Sequence, residues 1–178
     1  MQKRPEIGEF APYYLPYVNL VPEGDLLHIL KEQMEETIHL LQNISETQGQ
    51  FRYAPEKWSI KEVIGHMADT ERVMGYRLLC IARGDTVSLP GFNENDYVLH
   101  ASFNKQSMED LLENLNAVRQ STLHLIKNLD REAWLRRGIA NNHEVTVRAL
   151  ATIMAGHELH HRKIIKERYL GSESYPLS

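Results

Sequence analysis

The stretch Ser59-Ile60-Lys61-Glu62-Val63-Ile64-Gly65-His66-Met67-Ala68-Asp69 holds both a helix start and the beginning of a helix face. Ser59 followed by Glu62 is a capping box: the hydroxyl accepts from the Glu62 amide while the carboxylate accepts from the Ser59 amide. Beyond it, Ile60, Ile64, Met67, Met74, Leu78 and Ile81 recur at mostly three- and four-residue spacing, which gathers them on one side of a helix. A helix is therefore expected over 59–83, stopped by Gly84 beside Arg83.

The same periodicity appears on either side. Leu26, Leu27, Leu30, Met34, Ile38 and Leu41 predict a helix over 24–47, and Leu111, Leu112, Leu115, Val118, Leu123 and Ile126 predict one over 107–128. Thr146 can cap a fourth, over 146–169, carrying Val147, Leu150, Ile153, Met154, Ile164 and Ile165. Ahead of these, Phe10 to Pro22 concentrates three prolines with Tyr13, Tyr14 and Tyr17, and reads as an extended strap anchored by its aromatics. The connection from Asp85 to Gln106 is long for a helix–helix link, so it reads as a functional loop. Residues 129–144 read as a plain connector. Four amphipathic segments with almost no strand-like alternation predict an all-α four-helix bundle, in one domain spanning 1–178.

Composition narrows the function classes. Lys and Arg total 20 against 24 acidic residues, scattered along the chain, so no basic stripe suggests a nucleic-acid partner. No apolar run approaches the roughly 20 residues that span a bilayer, and the first residues lack the apolar core of a secretory signal, so a cytoplasmic location is expected. A single cysteine, Cys80, excludes an internal disulfide framework and any multi-cysteine zinc site. A metal would have to be held by histidine and carboxylate.

His157 and His161 stand four residues apart and so share a helix face. At about 100° per residue they fall in the sector of Leu150, Met154 and Ile164, pointing into the bundle. Two buried imidazoles need partners: either water and carboxylates, or one metal ion that satisfies both. His66, at the edge of the other helix's apolar stripe, supplies a third ligand if the helices converge, the usual way bundle metal sites are built. Glu62 and Asp69 lie one turn either side of His66 and could accept its second ring N–H, or could be plain surface carboxylates. His160 points about 60° away from the pair and reads as a rim residue; His100 and His143 fall in expected loops. Cys80, about 21 Å along the helix from His66, is too far to share the metal.

Two runs resemble a known family. Tyr53-Ala54-Pro55-Glu56-Lys57-Trp58-Ser59-Ile60-Lys61-Glu62, leading to His66, is similar to the helix-two signature of DinB/YfiT-like proteins. Gly156-His157-Glu158-Leu159-His160-His161, running on to Tyr169, resembles their second signature, with its His-x-x-x-His pair. The resemblance implies a metal site formed by His66, His157 and His161, and a pocket near Phe92-Asn93-Glu94-Asn95-Asp96-Tyr97. It further implies an enzyme acting on a small molecule, either a transferase or isomerase using a low-molecular-weight thiol, as in the bacillithiol-transferase branch, or a hydrolase.

Imidazole suits zinc, nickel, copper and iron alike, with zinc or nickel the expected ion. Three histidines with water completing the shell leave an open position for a thiolate or hydroxide. The alternative is a non-catalytic, stress-associated or binding bundle, in which His160, His143 or a carboxylate closes a structural site or no metal binds at all. A homodimer is the commonest assembly for such a chain.

Overall fold

A computed structural model describes residues 3–177. Its body is four long helices: α2 (Leu26–Leu41), α4 (Ile60–Ala82), α6 (Met108–Lys127) and α7 (Val147–Ile164). Three short helices precede or link them: α1 (Leu15–Leu20), α3 (Glu46–Gly49) and α5 (Glu94–Ala101). Each long helix starts at a side-chain cap, from Asp25, Ser59, Ser107 and Thr146 respectively, and Ser59 with Glu62 forms the full capping box.

Helix α4 packs on α6 and α7, and α2 packs on the same two helices. Two pairs of helices consecutive in sequence, α2 with α4 and α6 with α7, therefore face each other diagonally across the bundle, whereas α4 and α6 are neighbours. Two buried clusters fill the interior. One centres on Leu30, Leu78, Ile126 and Leu150, the other on Leu41, Ile64, Leu111 and Ile165.

Between the clusters runs a buried polar knot. Arg119, wholly buried on α6, donates to both carboxylate oxygens of Glu71 on α4 at 2.8 and 2.7 Å and to the Leu30 carbonyl on α2 at 2.8 Å. Its Nη1 also lies 2.7 Å from Glu158 Oε2 on α7, a charge contact without a well-angled hydrogen bond. Glu158 accepts a hydrogen bond from Thr37 on α2, at 2.5 Å, through its other oxygen. One guanidinium thus touches all three other helices of the bundle.

Five expectations need correction. The first long helix ends at Leu41 rather than 47, because Ser45 opens a new capping box with Gln48 and starts α3. The strap is not extended: a 3-10 turn at Pro12–Tyr14 leads into α1, with Pro12 and Pro16 in the first positions of their helices, where a missing N–H costs nothing. It lies on α7 so closely that a Cβ at Gly156 would strike the Tyr17 carbonyl. The functional loop contains α5, capped by Asn93. The plain connector holds a hairpin, β1 (Arg137–Ala140) paired antiparallel with β2 (His143–Thr146), turned by Asn141 and Asn142, both at positive φ. Finally, α7 passes at Ile165 into a π-helical turn ending at Leu170. Among the described residues no helix is long and apolar enough to cross a membrane.

Candidate metal centre

His66 lies two turns into α4, and His157 and His161 lie one turn apart towards the end of α7. Because α4 packs on α7, the three rings meet. His157 Nε2 is 3.0 Å from His66 Nε2 and 3.1 Å from His161 Nε2, and each pair of rings has its centroids 4.4 to 4.9 Å apart. One imidazole nitrogen carries either one N–H or one lone pair, so His157 Nε2 cannot make good hydrogen bonds to both neighbours. A cation at their midst would take all three lone pairs. Nitrogens bound to tetrahedral zinc stand roughly 3.3 Å apart, close to the spacing seen here. The donor set therefore fits a borderline ion such as zinc or nickel.

Burial sets the charge state. His66 is buried, and desolvation brings its pKa down to about 4. Desolvation, then the neighbouring imidazoles, hold His157 and His161 well below the ordinary histidine value. All three are neutral near pH 7, the form a metal requires. Among the described residues no fourth His, Cys, Asp or Glu joins the cluster.

The supports differ from those expected. Glu62 does not reach His66: its oxygens accept from the Ser59 amide at 2.8 Å, Asn104 at 2.7 Å and Arg52 at 2.9 Å. Asp69 pairs with Arg72 at 3.2 Å. Instead His66 Nδ1 lies 3.4 Å from Thr70 Oγ1, so an Nδ1 proton has an acceptor and Nε2 keeps its lone pair. Trp58 covers the His66 ring at 4.7 Å, and its carbonyl is held by the Tyr169 hydroxyl, 2.7 Å away, from the π-helical turn. His160 stands outside the cluster with its ring 5.2 Å from Tyr17. His143 lies on β2 beside Tyr13, His100 on α5, and Cys80 packs partly buried against the core.

The histidines form part of the wall of a cleft of about 500 Å³. Tyr13, Tyr14 and Tyr17 from the N-terminal segment form one wall, and Thr70, Met74 and Arg77 continue the His66 face of α4. Phe92 and Glu94, from the segment the resemblance set near the pocket, and Asn141 from the hairpin turn complete it. Arg77 was visible in the sequence: eleven residues beyond His66, it stands only about 20° round the same helix. The N-terminal segment is clamped by Glu9, which accepts from Thr146 Oγ1 at 2.7 Å and Arg148 Nε at 2.6 Å. Burial works against the Glu9 carboxylate, but these bonds and that of the Glu6 amide outweigh it and bring its pKa to about 2. A second cavity, of about 420 Å³ near Lys3, Arg4 and Arg148, contains none of the histidines.

The chain belongs to the DinB superfamily, whose model matches residues 29–165. It is similar in fold to YfiT from Bacillus subtilis, described as a probable metal-dependent hydrolase with an unusual four-helix bundle topology, at 16% identity and a TM-score of 0.75, over 93% of this chain and 95% of that one. A mycothiol-dependent maleylpyruvate isomerase matches at 13% identity and a TM-score of 0.65, over 88% of this chain and 65% of that one. The DinB-like protein YjoA of B. subtilis matches at 20% identity and a TM-score of 0.59, over 86% of this chain and 96% of that one. No curated protein matches the chain.

Proposed function

We propose that the protein is a metal-dependent enzyme in which His66, His157 and His161 hold one divalent ion, zinc or nickel, and that it transfers a low-molecular-weight thiol to a small electrophile. The observation that carries this reading is the convergence of three neutral imidazoles on an open cleft, with no fourth protein ligand among the described residues. An ion held there supplies a Lewis acid that lowers the pKa of a bound thiol or water. The protein's own part is to fix the imidazoles through Thr70 and Trp58, to exclude bulk water with the Tyr13, Tyr14 and Tyr17 wall, and to orient the substrate along α4.

Among the described residues no serine or cysteine lines the cleft, which is consistent with a nucleophile brought in from outside. An added thiol is one such nucleophile, and the likeness to a mycothiol-dependent isomerase supports it. The likeness to a probable metal-dependent hydrolase supports the second reading, in which the same centre activates water. Elemental analysis of tag-free protein tests the centre: about one metal per chain is expected, lost in His66→Ala and in His157→Ala. Metal absent from wild type after reconstitution overturns the proposal. With the metal in place, thiol consumed only when an electrophile is present supports transfer, and product formed without thiol supports hydrolysis.

A further inference from the structure

Arg77 is 3% exposed, yet no carboxylate among the described residues lies within 4.0 Å of its guanidinium. The other buried arginine of the bundle, Arg119, has two. A buried cation is costly without a counter-charge, so one on a cleft wall with no carboxylate beside it is suited to an anionic ligand. Of its five N–H donors, one goes to the Pro90 carbonyl at 2.6 Å and one makes a long contact of 3.6 Å with Met74 Sδ, and the Tyr14 hydroxyl, on the same cleft wall, also lies against the guanidinium. Its Nε has no protein partner among the described residues and is not sealed from solvent, and Arg77 lines the cleft. Phe92 lies under the guanidinium at 5.9 Å and holds its plane.

Position adds a direction. His66 and Arg77 share one face of α4, about three turns apart, with Thr70 and Met74 between them. The walls between the two ends are largely tyrosine, tryptophan, phenylalanine and methionine side chains. We propose that the cleft takes an elongated organic acid, its carboxylate held by the Arg77 fork and its apolar body lying along α4, with the far end at the histidines. This deepens the enzyme proposed above and rests on it only for the chemistry at the far end. Glu94 at the exposed rim disfavours anions, but it is solvated where Arg77 is not, so the buried charge dominates at short range. A planar guanidinium suits a carboxylate through two parallel hydrogen bonds.

The test is calorimetric titration with octanoate and with its uncharged twin octanamide, near pH 7.5, on tag-free protein as purified and after chelator treatment. A charge-assisted pair predicts octanoate binding at least about tenfold tighter than octanamide in both forms, and loss of that preference in Arg77→Met. A preference that vanishes with the metal but persists in Arg77→Met overturns the inference, since the acid then pairs with the ion and not with Arg77. Equal binding of acid and amide, or none of either, overturns it as well. Should Arg77→Met fail to fold, the wild-type arms decide, because Arg77 is the sole Lys or Arg among the described residues that line the cleft. Metal content measured alongside separates failure of the metal reading from failure of this one.

Discussion

At the scale of single residues, the histidine trio ties stability to pH. An imidazole whose pKa falls to about 4 on folding is protonated more readily in the unfolded chain, so between pH about 6.5 and 4 the unfolded state binds more protons. The stability His66 contributes is full above that window and drains away as pH falls through it. Denaturant titrations of metal-free protein at pH 7, 6, 5 and 4 should show this decline, and His66→Gln should flatten it. Thr70 is the partner of His66 Nδ1, and replacing it with valine removes the acceptor without changing shape. We expect metal affinity about tenfold weaker in Thr70→Val, by competition with a chromogenic chelator, with thermal stability little altered. An unchanged affinity would mean the ring is held by Trp58 alone. The histidine convergence was legible in the sequence because i, i+4 geometry is local and the wheel points both rings inward. Thr70 was not: Glu62 and Asp69 flank His66 equally well, and although the capping box already engages Glu62, only the structure shows that Asn104 and Arg52 complete its bonding and that Arg72 holds Asp69.

At the scale of elements, the Arg119 knot makes four helices interdependent. Arg119→Ala strands Glu71 and Glu158 as buried carboxylates, and should cost about 3–5 kcal/mol in urea unfolding. A loss below about 1 kcal/mol would show that water replaces the guanidinium. The contact of α1 with α7 makes a different prediction. Gly156→Ala forces a methyl into the Tyr17 carbonyl, so α1 must shift; a loss of about 1–3 kcal/mol is expected, with Tyr17 moved from the cleft, readable as altered tyrosine fluorescence. The long helices were legible within a few residues because caps and apolar stripes agree. The knot was not, since charged residues in an amphipathic pattern read as surface. Nor was the hairpin: its turn uses Asn141-Asn142 instead of a glycine pair, and its four-residue strands show little alternation. Prolines in the N-terminal segment read as helix breakers because their place at helix starts depends on where each helix begins.

At the scale of the whole molecule, the cleft gathers distant stretches: the N-terminal tyrosines, the His66 face of α4, the segment before α5, the hairpin turn and the last helix. The bundle and the family signatures could be read from the chain, but the cleft's walls could not, because they come from the parts with the weakest periodicity. The N-terminal wall stays in place through Glu9, whose bonds to Thr146 and Arg148 reach across 137 and 139 positions. The histidines are similarly remote: His66 and His157 are 91 positions apart in the chain. An ion bridging them is therefore a reversible cross-link, and polymer statistics give its effect. Closing a loop of that length removes conformational entropy from the disordered chain worth about 4–5 kcal/mol near room temperature. The ion proposed for the chemistry would thus also act as the staple of the bundle, and the metal-free protein would be looser as well as idle.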